Sequence, residues 1–148
     1  MAQDLVDRLL AQTGLHIGTT RDTREDAAPQ AARIMVTPLP GRCGVTFDYE
    51  GLNLLMNQAR PFGHSEHAML ARTSNGLTLY SAHIHAPAVT ELRQTAAGEF
   101  EAVEGASPFP LAIRIEVPSD GRLTYTWSFG EPGGELAVRI IGEVIHVD

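Results

Sequence analysis

The chain has 148 residues, 43% of them hydrophobic and 20% charged, a length and balance suited to one globular domain over 1–148 and unsuited to extended disorder. Its net charge of −7 leaves no basic face for a phosphate backbone, which excludes nucleic acid and anionic membranes as expected partners. All eleven basic residues are arginine, so Schiff-base, pyridoxal-phosphate and P-loop lysine chemistry is excluded too.

The first eight residues, Met1 to Arg8, carry two acids and no apolar run. Neither a signal peptide nor a spanning segment is expected there, and the cytoplasm is the default location. Leu5, Val6, Leu9 and Leu10 recur at helical spacing, with Asp4 suited to a first turn and Gly14 to a stop. This predicts one helix at about 3–12, covering the end of a larger structure.

Beyond Gly14 the period is two. Leu15 to Thr19 reads as a strand, Arg21 to Gln30 as a mobile loop, and Arg33 to Thr37 as a second strand. After the turn at Pro38–Gly41, Cys43, Val45, Phe47 and Tyr49 alternate with polar residues, which places Cys43 among buried small hydrophobes. Asn75-Gly76 marks a hairpin before Leu77 to His85. Leu111, Ile113, Ile115 and Val117 alternate next; the turn Ser119-Asp120-Gly121 leads to Leu123, Tyr125, Trp127 and Phe129. Leu136 to Val147 closes the chain, with Gly142 as a bulge position that would reverse the face of His146. Nine or ten short strands at this spacing predict an all-β fold: a roughly ten-stranded antiparallel up-and-down barrel with one N-terminal helix.

Four of the six histidines fall between positions 64 and 85. His83 and His85 share a strand face with Leu77, Leu79 and Ser81, and His67 lies on the preceding strand with Met69 and Ala71. Across the hairpin, His67, His83 and His85 are expected to converge, with Glu66 or Glu91 nearby, in a set suited to zinc or iron. The bland alternative is a polar, hydrogen-bonded cavity. His-x-His followed by Glu91 also resembles the cupin metal motif, though six residues is too long a gap and no second cupin motif follows. The single cysteine, Cys43, permits no intramolecular disulfide.

The stretch Arg60-Pro61-Phe62-Gly63-His64-Ser65-Glu66-His67, continuing through Arg72, Asn75-Gly76, Ala82-His83 and Glu91, resembles the middle of the nitrobindin-like proteins of the calycin group, which includes the fatty-acid-binding proteins. The resemblance implies a ten-stranded barrel and, in the family, ferric haem held by a histidine in the last strand. This chain lacks the family's Gly-x-Trp-x-Gly-x-Gly opening. It also has Arg139 where the axial histidine would stand, and a guanidinium has no lone pair for iron. His146 or His67 would have to replace it.

The expected function is therefore to hold a small, mostly apolar or carboxylate-bearing molecule in the barrel. Ile113, Ile115, Tyr125 and Trp127, with Leu111, would form the wall, and His67, His83 and His85 the polar contacts. Arg139, Arg72, Arg93 and Arg114 are candidates to grip a carboxylate, Arg114 the weaker because parity turns it away from Ile113. No cofactor is required, haem being the alternative. A metal-dependent enzyme using His67, His83, His85 and Glu91 is the second alternative; a bound metal or haem would add His146 to the set. A homodimer is the base-rate expectation.

Overall fold

The computed structural model describes residues 3–24, 29–52 and 62–148. One short helix, α1 (Leu5–Leu10), precedes ten strands: β1 (Gly14–Asp22), β2 (Gln30–Pro38), β3 (Gly44–Leu52), β4 (Phe62–Thr73), β5 (Gly76–His83), β6 (Thr90–Ala96), β7 (Glu99–Ala102), β8 (Leu111–Glu116), β9 (Arg122–Phe129) and β10 (Ala137–His146). Each strand pairs antiparallel with its chain neighbour, and β10 returns to β1 to close the barrel. The closing register sets His16 opposite His146 and Ile17 opposite Ile145. With both former edges paired, the sheet offers no open ladder along its seam.

The alternation of residue types decides which face looks inward. Val45, Phe47 and Tyr49 on β3, Ala68 and Leu70 on β4, Ile113 and Ile115 on β8, and Tyr125 and Trp127 on β9 are all buried. The Asp4 carboxylate caps α1 by accepting from the Asp7 amide at 2.9 Å. The helix presses Val6 and Leu9, both fully buried, into the same core. α1 and the β2–β3, β4–β5, β6–β7 and β8–β9 turns form one end of the barrel, while Arg24, His85, Phe109 and Gly130 belong to the other. No helix among the described residues is long and apolar enough to cross a membrane.

Three local expectations are corrected. Cys43 is exposed: it ends a 3-10 turn over Pro40–Arg42 with φ −78° and ψ −4°, so the alternation of β3 starts only at Gly44. β1 runs to Asp22 and β2 starts at Gln30, which shortens the loop expected at Arg21–Gln30; its residues 25–28 lie outside the described part. The irregularity of β10 falls between Val138 and Ile140, so Arg139 is the extra residue and Gly142 is in register with Tyr125. That bulge exposes Leu136 and Val138 and turns Ile140 and Val144 inward.

Candidate ligand site at the open end of the barrel

β4 and β5 carry the polar part of the interior. Inward parity on β4 selects His64 and Glu66, followed by the apolar Ala68 and Leu70. On β5 it selects Ser81 and His83, and Glu66 stands opposite His83 in the register. The chain leaves β5 after His83 and turns, which brings the amide of His85 to within 3.3 Å of His83 Nδ1. Because that nitrogen accepts, neutral His83 carries its proton on Nε2, 3.4 Å from the Thr90 hydroxyl. His64 Nδ1 and His85 Nε2 lie 3.3 Å apart, one donating and one accepting.

These three imidazoles surround Trp127. Its ring lies edge-on to His83 at 4.7 Å, to His64 at 4.9 Å and to His85 at 5.9 Å between centroids. Burial, reinforced by the neighbouring imidazoles, pushes His64 down to about 3 and His83 down to about 4. Both are therefore neutral at physiological pH. His64 is 1% exposed and His83 8%, whereas His85 is only half-buried.

Beneath them is a buried acid. The Ser81 hydroxyl donates to Glu66 Oε2. Desolvation pushes the Glu66 carboxyl up to about 7, against the lowering effect of Ser81, Tyr125 and Trp127. Burial, together with the Glu66 charge, raises the Tyr125 hydroxyl. Glu66 Oε1, the Tyr125 hydroxyl, Trp127 Nε1 and His64 Nε2 are buried with no hydrogen-bond partner among the described residues. Tyr125 and Trp127 lie within electrostatic reach of Glu66 without proper hydrogen-bond geometry. Buried polar atoms of this kind are commonly satisfied by internal water.

Above the imidazoles the barrel opens into a cavity of about 220 Å³ lined by Arg24, His85, Phe109, Phe129, Arg139 and the Gly130-Glu131-Pro132 turn. Phe109 and Phe129 stand 5.9 Å apart, and His85 lies 5.6 Å from Phe129. The Arg24 guanidinium sits 5.0 Å from the Phe129 centroid and grips Asp22 through two bonds of 3.0 and 2.7 Å. Arg139 Nε donates to the Phe129 carbonyl at 3.4 Å. A wall of aromatic faces beside two guanidinium groups suits a flat apolar body with an anionic end.

A larger hollow, about 820 Å³, lies at the opposite end between α1 and the β4–β5, β6–β7 and β8–β9 turns. It is a groove without aromatic side chains, and its cations, like Arg24 and Arg139 at the other end, already have partners. Arg72 binds Asp4 and Asp7 at 2.8 Å each, and Arg8 donates to the Val117 carbonyl. Of the two, the smaller cavity is the one that sets aromatic faces beside guanidinium groups.

The structure separates the residues singled out in the sequence. His83, His85, Trp127, Tyr125 and Arg139 belong to the open end and its floor. Ile113 and Ile115 are 1% exposed and fill the interior; Ile115 borders the groove at the α1 end, away from the ring-lined cavity. His67 does not join the cluster: it stands opposite Ala82, points outward and pairs with Asp48. Its place is taken by His64, which the apolar Ala68 and Leu70 on the same parity point to. Glu91 sits between the inward Thr90 and Leu92, so it faces outward and pairs with Arg93. His146 is at the α1 end, 2.9 Å from the Thr13 carbonyl and 5.0 Å from the His16 ring. Arg72, Arg93 and Arg114 are bound to surface carboxylates away from the cavity. Arg60 and Pro61 lie outside the described residues.

Two groupings therefore fail to form. Among the described residues no set of three or more His, Cys, Asp or Glu is arranged to hold a metal ion. Haem ligation from the last strand does not fit either: Arg139 cannot ligate, His146 is at the wrong end, and His67 is outside the barrel. Sequence reasoning missed Arg24, assigned to a loop, and Phe109, which lies between Pro108 and Pro110 on the connection before β8.

No family model and no curated protein matches the sequence. Among solved structures the chain is similar to the crystal structure of Rv2717c from M. tuberculosis, with a TM-score of 0.66 and 13% identity, covering 99% of this chain and 100% of that one. At that identity the likeness shows the fold, a closed ten-stranded antiparallel barrel with a short N-terminal helix.

Proposed function

We propose that this protein is a small-molecule binding protein of the calycin, nitrobindin-like kind whose ligand is a flat, mostly apolar acid held at the open end of the barrel. The observation that carries the reading is the cavity itself: Phe109, Phe129 and His85 supply ring faces, and Arg24 and Arg139 stand at its rim. The lower barrel is filled by its own side chains, with Phe47, Tyr49, Tyr125 and Trp127 fully buried, so the ligand sits above Trp127 instead of among Ile113 and Ile115. Burying about 200 Å² of apolar ligand surface contributes roughly 5 kcal/mol before the costs of association. A carboxylate on Arg139 adds orientation.

Haem is not the ligand of this reading, because the last strand brings Arg139 to this cavity and its one histidine, His146, lies at the other end of the barrel. The test is native mass spectrometry of freshly purified protein, with Phe129→Ala alongside. The expected result is a retained small organic acid that Phe129→Ala loses. A retained haem, or an acid retained equally by Phe129→Ala, contradicts it.

A further inference from the structure

We propose that the open-end site takes its organic acid together with a proton, the bound carboxylate being matched by protonation of His85 within the His64–His85 pair. The inference rests on the ligand site proposed above and deepens it by naming the ligand class and its control by pH.

The geometry of the imidazoles supports this. His64 and His85 are stacked with centroids 5.4 Å apart, and His83 is 5.9 Å from His85. Rings this close do not all carry charge, because each cation opposes the next. His64 and His83 are enclosed by Tyr49, Trp127 and Phe109, whereas His85 lines the cavity. His85 is thus the member that reaches both the solvent proton and the ligand. When it is protonated, its Nε2–H donates to His64 Nδ1, and His64 carries its own proton on Nε2.

The charges around the pair decide when this happens. From β1, Asp22 favours a cation on His64 and His85, although it is paired with Arg24. From β3, the Tyr49 hydroxyl is held at 2.7 Å by Thr20, and burial keeps it from ionising. From β4, Glu66 lies one inward position below His64, and from β5 His83 stands neutral. At the rim, Arg24 and Arg139 oppose a further positive charge, while Glu131 favours it. A carboxylate bound between the arginines offsets their charge and raises the proton affinity of His85. By linkage, the proton raises the affinity for the carboxylate equally. A neutral ligand of the same shape offsets nothing and draws no proton.

Isothermal titration calorimetry of the full chain with 2-naphthoate and its neutral counterpart 2-naphthamide, in buffers of different ionisation enthalpy near about pH 7.5, reads the proton directly. The expected result is net proton uptake with naphthoate and none with naphthamide, with naphthoate affinity falling at higher pH by up to about tenfold per pH unit. His85→Gln binds naphthoate more weakly and without uptake. A readout independent of any variant is the His85 ring titration by NMR, which naphthoate shifts to higher pH and naphthamide leaves in place. Naphthoate binding without proton uptake overturns the proton coupling and leaves the ligand site standing. Failure of both probes to bind overturns the site and the coupling together.

Discussion

The hydroxyl of Tyr49 occupies the space where a side chain at Gly142 would begin. A Cβ there would fall 2.8 Å from Tyr49 Cζ and closer still to the hydroxyl, which bonds Thr20 at 2.7 Å. Glycine on β10 lets the ring of β3 cross the barrel beneath the seam with β1. Gly142→Ala is therefore expected to cost about 1–3 kcal/mol, from overpacking and the disturbed hydroxyl pair. Tyr49→Phe removes the colliding oxygen, so the double variant should lose less than the sum. A strictly additive denaturation cycle would contradict the contact.

Glu66 and the buried histidines shape stability against pH in opposite ways. The Glu66 carboxyl moves from 4.5 to about 7 on folding. Across that window the native state holds a proton the unfolded state has released, so stability falls as pH rises. His64 and His83 move from 6.5 to about 3 and about 4. There the unfolded state holds protons the native state lacks, so stability is lost as pH falls below 6.5. Together they predict a maximum between about pH 6.5 and 7. Glu66→Gln should flatten the alkaline side and steepen the acid side. Urea midpoints across pH check this, and parallel profiles for the two proteins would contradict it.

The α1 end depends on apolar packing more than on its ion pairs. Leu9 is fully buried in the core, so Leu9→Ala is expected to cost about 2–5 kcal/mol. Arg72, which binds Asp4 and Asp7 at the surface, should cost under about 1 kcal/mol when replaced by alanine. Hydrogen exchange of the α1 amides should rise in Arg72→Ala while global stability barely changes. A large global loss on removing Arg72 would reverse this ranking.

Arg139 should discriminate by charge. Arg139→Met is expected to weaken 2-naphthoate about 5–30-fold and to leave 2-naphthamide nearly unchanged. Equal losses for both, read by calorimetry, would mean that Arg139 acts through packing.

Much of the barrel is visible in the alternation of residue types, because one face of each strand must be apolar. Leu123, Tyr125 and Trp127 disclose the inward face of β9 without any structural information. Parity alone does not say which face of β4 is inward. His67 and His64 are both near His83 in the chain pattern, and only the burial of Ala68 and Leu70 selects His64. The bulge at Arg139 is invisible for a further reason: it depends on the pairing of β10 with β9 and the bond from the Thr23 amide to the Arg139 carbonyl, 2.7 Å long. Arg24 and Phe109 sit on connections, where periodicity carries no signal.

The most direct test of the central claim is a two-dimensional amide NMR titration with 2-naphthoate. The chain has one tryptophan, so the indole resonance of Trp127 is unambiguous. The account predicts saturable shifts of that indole and of the amides of His85, Phe129, Gly130 and Arg139. Shifts confined to α1 and the groove beside Arg72, or no saturable shift at all, would contradict it.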